Sequence, residues 1–295
     1  MPERKSIREL IKWGKEYLSS KRISSPQVVA ELIAENITGK SRPYLYFDDD
    51  VYLDEKKKAL FEKNIRRCAR KVPLAYVICE QYFMGYRFFV RPGVFIPRPQ
   101  TEILVEKSLQ FLQKLNKTHP EKIIVVDIGT GCGNIAVTIA KEIKNAFIYA
   151  VDISSLALEV AKYNAKYHRV SSQIKFLAGD LFSPLSNIPI QGKIDLIVSN
   201  PPYVEREKMR YLPEEVKKEP DFALDGGKEG LSFYQRIIPA STRWLRGKGV
   251  LMLEIGYNQA EKVLNMIRRE KEFANSPCLF YDLEGNARVI SVAKK

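Results

Sequence analysis

Ile123-Ile124-Val125-Val126-Asp127-Ile128-Gly129-Thr130-Gly131-Cys132-Gly133, followed at once by Ile135, Ala136, Ile139 and Ala140, decides the fold class. The apolar, β-branched run reads as a buried strand, and the spacing after it reads as one face of a helix. Glycine is needed where the backbone turns sharply and a ligand must approach it closely, so strand, glycine-rich turn and helix form one unit. The alternation continues downstream. Phe147 to Val151 is the next strand and ends at Asp152. A helix from about Leu156 to Tyr167 precedes the strand Ile174 to Leu177, which ends near Asp180. A fourth strand covers Ile194 to Ser199 and a fifth Val250 to Leu253. The segments 279–283 and 288–292, around Gly285-Asn286, read as a closing antiparallel hairpin. Such alternation implies a mostly parallel sheet with helices on both faces. The expected class is α/β, Rossmann-like.

Two further features of this sheet carry chemistry. Asp152 stands 23 residues after Gly129, at the next strand end. A carboxylate there takes both hydroxyls of a ribose, in dinucleotide enzymes and in S-adenosylmethionine enzymes alike. The glycines do not separate the two. Their spacing does, being Gly-x-Gly-x-Gly where dinucleotide binders have Gly-x-Gly-x-x-Gly. The fourth strand also ends in Asn200-Pro201-Pro202-Tyr203, which has no job in hydride transfer. Prolines cannot donate to a ladder, so the strand stops there and leaves Asn200 at its carboxyl end, where ligands bind in open α/β sheets. The Asn200 side-chain oxygen and the Pro201 carbonyl can each accept from an –NH2 group while Tyr203 packs on its flat face. That suits a planar amide or the exocyclic amine of a base. The plainer account is a capped strand end with a buried tyrosine. Asp180 is placed to meet an adenine amine.

With 295 residues the chain is long enough for two domains, and 45% apolar with 28% charged residues is ordinary for a globular protein. No apolar run reaches the roughly 20 residues needed to span a bilayer, and Met1 to Lys5 lack a secretory pattern. Four dispersed cysteines (Cys68, Cys79, Cys132, Cys278) and two histidines (His119, His168) argue against a zinc site and for a reducing cytoplasm. The net charge of +13 invites a nucleic-acid partner, but Lys and Arg are spread along the chain and mixed with acids, as in Glu205-Arg206-Glu207-Lys208. Residues 1–72 read as a small helical domain. Ile7, Leu10, Ile11 and Leu18 share a face interrupted by Gly14. Ser25-Pro26 starts a second helix that buries Val28, Val29, Leu32, Ile33 and Ile37 and stops at Gly39. Asp54 caps a third, carrying Ala59, Leu60, Ile65 and Cys68 inward until Pro73. Residues 73–100 hold a hairpin around Met84-Gly85 and a proline-stiffened connection, Phe95 to Glu102, in which Thr101 can cap the next helix. Residues 101–295 form the α/β domain.

Taken in order, Phe95-Ile96-Pro97-Arg98-Pro99-Gln100-Thr101-Glu102, the run Asp127 to Gly133, Asn200 to Tyr203 and Ala223-Leu224-Asp225-Gly226-Gly227-Lys228-Glu229-Gly230-Leu231 resemble the HemK/PrmC family, the bacterial-type release-factor glutamine methyltransferases. The resemblance runs over essentially the whole chain. Gln100, where this family usually has an acid, and Cys132, where a small or hydroxyl residue is common, depart from it. It implies a class I methyltransferase domain with a seven-stranded sheet behind a helical substrate-recognition domain. It implies S-adenosyl-L-methionine as cofactor, S-adenosyl-L-homocysteine as product, no metal, and class I peptide chain release factors as protein substrate, with no membrane and no stable nucleic-acid binding. The methyl acceptor would be the glutamine side chain of a Gly-Gly-Gln tripeptide. Phe95, Gly129, Thr130, Gly131, Cys132, Gly133, Asp152, Asp180, Leu181 and Asn200 would meet the cofactor. Asn200, Pro201, Pro202 and Tyr203 would hold the substrate, with Asn200, Pro201 and Tyr203 catalytic. Competing readings are a glutamine methyltransferase acting on a ribosomal protein, a nucleic-acid adenine N6-methyltransferase acting on a flipped-out base, and a non-catalytic nucleotide-binding module.

Overall fold

A computed structural model describes residues 6–47, 52–118, 121–274 and 276–295. The expectations placed on Met1 to Lys5 and on His119 lie outside these residues. The chain folds as two units, one made of the described residues up to Glu80 with Pro213–Lys218, the other of Gln81–Leu212 with Glu219–Lys295.

The first unit is helical. Helix α1 (Ile7–Ser20) opens on a reciprocal cap, in which Ser6 Oγ accepts from Glu9 N and Glu9 Oε2 accepts from Ser6 N at 2.7 Å. Gly14 does not interrupt it. A Cβ there would stand 3.0 Å from Ile65 Cδ1 and 3.3 Å from Ala30 Cβ, so the bare backbone is what lets its neighbours pack close. Helix α2 (Pro26–Thr38) has Pro26 in its first turn and ends on Gly39 at φ +71°. Ser25 sits in the left-handed region at φ +50° and makes no side-chain cap, contrary to expectation. Its buried stripe is Ala30, Glu31, Ile33 and Ala34, and Val28 is exposed. After α3 (Tyr44–Phe47), α4 (Glu55–Ala69) is capped by Asp54 Oδ1, which accepts from Lys57 N at 2.7 Å. Its inward stripe is Phe61, Asn64, Ile65 and Cys68. Leu60, expected inside, is exposed because Phe61 takes that face. Helix α5 (Leu74–Ile78) packs Leu74, Val77 and Ile78 into the same core, so helical structure continues past residue 72.

After the helical segment comes the hairpin of β1 (Glu80–Phe83) and β2 (Tyr86–Phe89), which belongs to the second unit from Gln81 onward. Its two-residue turn, Met84 at φ +51° and Gly85 at φ +73°, has the paired positive φ angles that match strand twist. There follow α6 (Thr101–Thr118), β3 (Ile123–Ile128), α7 (Asn134–Glu142), β4 (Ala146–Asp152), α8 (Ser155–Tyr167), β5 (Ile174–Ala178), β6 (Ile194–Ser199), α9 (Ser232–Trp244), β7 (Leu245–Glu254), α10 (Ala260–Arg269), β8 (Cys278–Tyr281) and β9 (Ala287–Ala293). Sheet order is β5-β4-β3-β6-β7-β9-β8, parallel as far as β7 and antiparallel beyond it. The expected mostly parallel seven-stranded sheet with an antiparallel C-terminal hairpin is what forms.

Alternation along β3 explains the layers. Val125 joins a core with Leu104, Leu109 and Leu112 of α6 and with Ile135 and Ile139 of α7. Val126 joins the opposite core, with Tyr234 and Ile237 of α9 and Val263 and Ile267 of α10. Both faces are buried, as continuous apolar strands require. The chain runs outward from β3 through β4 to β5, then returns to place β6 on the other side of β3. That reversal opens a crevice at the carboxyl ends of β3 and β6, the usual ligand position in open α/β sheets. Among the described residues no helix is long and apolar enough to cross a membrane.

Candidate active site

The loop after β3 is held open by its backbone. Gly129 and Gly131 lie at φ +75° and +57°, and a Cβ built on either meets nothing within 4 Å. Their bare faces therefore border free space, which suits a ligand laid against the main chain. Gly133 differs: a Cβ there would come within 3.0 Å of Ala161 Cβ, so this glycine serves the packing of α7 on α8. Thr130 is buried and donates to Asp127 Oδ2 at 2.6 Å. The Cys132 side chain is also buried, its thiol pushed up to about 12 by burial, and its carbonyl accepts from Asn164 Nδ2 at 2.9 Å. The Thr130 and Cys132 side chains are thus turned away from the crevice, and the Thr130 N–H donates to Val151 O at 2.9 Å.

Asp152 closes one side of this cradle. Its Oδ2 accepts from Gly131 N at 2.8 Å and its Oδ1 from Ser154 N at 2.9 Å, which fixes the carboxylate against the glycine turn. Burial raises its pKa, and these backbone bonds oppose the rise. Each oxygen keeps a second lone pair for a ribose hydroxyl. Asp180 is half exposed and ion-paired to Arg236 through Oδ2. Next to it, Leu181 has left-handed backbone at φ +49°, a strained conformation for a non-glycine residue. Asp127, fully buried, is pushed up to about 7 by burial, and its Oδ1 has no hydrogen-bond partner.

On the other side stands the end of β6. Ser199 pairs with Ile128 of β3 and Leu253 of β7, so Asn200 emerges beside the glycine loop. Asn200 Nδ2 donates to Thr101 Oγ1 at 3.0 Å, while its Oδ1 has no partner among the described residues. Thr101, expected to cap α6, begins that helix and turns its hydroxyl to Asn200 instead. The Tyr203 hydroxyl is pushed up to about 12 by burial and the nearby Glu254 carboxyl, and so remains protonated.

Two elements brace this end, and sequence reading gave neither a role. The Ala223 to Leu231 loop laces onto the strand exit: Val204 N donates to Leu224 O and Gly226 N to Val204 O, while a Cβ on Gly226 would fall 2.7 Å from Tyr203 Cα. Gln259, buried before α10, donates from Nε2 to Tyr203 O at 3.0 Å and Gly230 O at 3.1 Å, and its Oε1 accepts from Gly256 N. The proline-stiffened stretch is tied down by Glu219, a buried carboxylate that accepts from Ile96 N at 3.0 Å and pairs with Arg98. The Arg98 guanidinium in turn lies 5.0 Å from the Phe95 ring centre. Glu219 stands 121 positions from Arg98, so no local pattern could reveal it. Gln100 is exposed, so its departure from the family pattern removes no buried charge.

Comparison with known proteins adds to this geometry. The Methyltransferase small domain family matches residues 85–216, and the PrmC N-terminal domain family matches residues 9–78. The chain is 37% identical over 269 residues to the release factor glutamine methyltransferase of Geobacter sulfurreducens, covering 91% of this chain and 90% of that one. It is 36% identical to the proteins of the same name from Dictyoglomus turgidum, over 97% and 98% of the two chains, and Bacillus subtilis, over 97% of each. Among solved structures it is similar to the release factor-specific protein-(glutamine-N5) methyltransferase of Alicyclobacillus acidocaldarius (31% identity, TM-score 0.41, 70% of this chain and 99% of that one). The hMettl16 catalytic domain, at 17% identity and a TM-score of 0.54 over 79% of this chain and 81% of that one, shares the fold alone.

Proposed function

The chain belongs to the release factor glutamine methyltransferase family, and from that premise we propose that it moves a methyl group from S-adenosyl-L-methionine to the glutamine side chain of the Gly-Gly-Gln tripeptide in class I release factors. The observation that carries this reading is Asn200, whose amide nitrogen is occupied by Thr101 and whose Oδ1 is left without a partner at the mouth of the crevice. A substrate –NH2 needs an acceptor there, and Oδ1 is one.

The residues fit the cofactor. The bare faces of Gly129 and Gly131 leave room against the backbone, and Asp152 offers two fixed oxygens to a ribose. In this reading Thr130, Cys132 and Gly133 contribute backbone to the same turn, Asp180 and Leu181 border the adenine, and Phe95 lies near the transferred group. Bound S-adenosyl-L-methionine supplies an electrophilic methyl on a sulfonium, leaving as S-adenosyl-L-homocysteine.

The difficulty is the acceptor. An amide nitrogen shares its lone pair with the carbonyl and is a poor nucleophile. Asn200 Oδ1 and the Pro201 carbonyl would accept one N–H each, turning the nitrogen toward the methyl group and stabilising the positive charge that develops there. Pro202 keeps those two acceptors in a fixed relation. Tyr203, neutral at working pH, packs on the amide plane. With the cofactor bound, the acceptor nitrogen would take the methyl group as the sulfur–carbon bond gave its electron pair to sulfur, and the amide, still held by Asn200 and Pro201, would lose its proton to water. The helical unit recognises the protein substrate.

The test is incubation with methyl-labelled cofactor and separate release-factor, ribosomal-protein, DNA and RNA pools, with mass spectrometry locating the label. Label on the Gly-Gly-Gln glutamine supports the proposal, and label in nucleic acid or ribosomal protein overturns it. Asn200→Ala should then lower the single-turnover rate by about 100- to 1000-fold with little change in cofactor affinity. A near-normal rate would leave Asn200 as a strand cap.

A further inference from the structure

Asn200 is useful only if its amide presents oxygen, not nitrogen, to the crevice. An asparagine amide free to rotate would spend much of its time the wrong way round, because the two ends have almost the same shape. Something must hold the nitrogen end.

Two buried groups from distant parts of the chain meet it. Thr101, 2% exposed, stands at the start of α6, 99 positions from Asn200, and its Oγ1 accepts from Asn200 Nδ2. Glu254, 1% exposed, ends β7, one step beyond the Ser199–Leu253 pair and so beside Asn200 on the adjacent parallel strand. The Thr101 hydroxyl and the Asn200 amide both lie near enough to the Glu254 carboxyl to hold its pKa down against burial. A hydroxyl that accepts from Asn200 still has its own proton to give to that carboxyl.

We infer that Thr101 and Glu254 are positioning residues that grip the Asn200 amide by its nitrogen and so keep Oδ1 facing the substrate –NH2. This rests on the reading of Asn200 given above. A carboxyl accepts and does not donate when ionised, so the amide edge turned to it has to be the –NH2 edge. The placement is poor for stability. Burial raises the pKa of Glu254 to about 7, against the opposing effects of Thr101, Arg288, Arg98 and Asn200, and Oε2 has no hydrogen-bond partner. The Tyr203 and Tyr234 side chains also face this carboxyl. A buried acid that is half satisfied costs the fold and calls for another reason to be there.

The test compares Thr101→Val, Thr101→Ser, Glu254→Gln and Asn200→Ala in the full chain, with a release factor as substrate. It reads kcat, calorimetric cofactor affinity and melting temperature at pH 8. Thr101→Val keeps the shape and removes the hydroxyl, and kcat should fall about tenfold, the worth of one hydrogen bond that holds Asn200 in place, with cofactor affinity unchanged. Thr101→Ser should recover most of the rate. Glu254→Gln should also be slower yet melt no lower than the parent, since it removes a carboxyl that burial disfavours when ionised. A purely structural residue would lose rate and melting temperature together. Wild-type kcat in both Thr101→Val and Glu254→Gln, with Asn200→Ala inactive, would overturn this inference and leave the role of Asn200 standing. Wild-type kcat in all three would overturn both. If Thr101→Val does not fold, Glu254→Gln decides alone.

Discussion

At the scale of single residues, the groups that matter are buried acids whose neighbours outweigh ordinary solvent preference. Asp127 stands next to last in β3, its Oδ2 accepting from Thr130 Oγ1, and its pKa is pushed up to about 7 by burial. A carboxyl whose folded pKa lies above its unfolded value favours the native state while protonated. Its contribution is complete below the unfolded value near 3.8 and is lost as pH rises through about 7. Asp127→Asn keeps the shape and removes that loss. The variant should therefore gain melting temperature relative to the parent between pH 5 and pH 8, a difference in which every other titrating group cancels. A constant offset across that range would show that Asp127 does not titrate there. Chemistry at this scale was partly legible beforehand. Asp152 and Asn200 could be singled out because each follows a readable strand. Their hydrogen-bond partners, Gly131 N for one and Thr101 Oγ1 for the other, come from elsewhere in the chain.

At the scale of elements, position depends on ties between segments that no periodicity announces. The parallel strands and their helices were readable because an apolar run or a helical stripe reflects burial directly. Helix α1 buries the face its spacing predicts, whereas α2 and α4 are turned by about a residue from expectation, as with Leu60 and Phe61, since a stripe of mixed residues does not fix its own centre. Helices α9 and α10 went unread, the first with Pro239 within it. The stretch from Phe95 to Arg98 is the sharper case. Its prolines make it stiff, but what fixes its place is Glu219, which takes the Ile96 N–H and the Arg98 guanidinium together. Glu219→Gln keeps one acceptor and gives up the charge. Since Arg98 is partly exposed, solvent softens the loss, and about 1–3 kcal/mol of stability is the expected cost. If Phe95 lines the cofactor site, affinity for S-adenosyl-L-methionine should weaken severalfold, and protease should cut within residues 95–100 more readily. Unchanged affinity with the same loss of stability would make the stretch a connection only.

At the scale of the whole molecule, the proposed division of labour gives the cofactor to the unit that carries the glycine turn and the protein substrate to the helical unit. The net charge of +13, mixed along the chain, gave no partner and still gives none by itself. A more selective feature is a set of exposed aromatics in the helical unit, Tyr44, Phe47 and Tyr52, at 64%, 82% and 48% exposure. Large apolar side chains in water are a cost without a partner, and aromatics are the residues that anchor protein interfaces. If this unit recognises the release factor, these three side chains are its best candidates for contact. Replacing all three with serine removes no core packing, so the variant should fold and melt as the parent does. Truncating interface anchors costs more than about 1 kcal/mol each, so the KM for release factor should rise at least tenfold. Cofactor affinity should stay unchanged, because none of the three belongs to the unit that carries the glycine turn, and kcat at saturating release factor should hold as well. A variant with unaltered KM would move substrate recognition off these side chains. One whose kcat falls while KM holds would mean the helical unit acts on the reacting groups and not on docking.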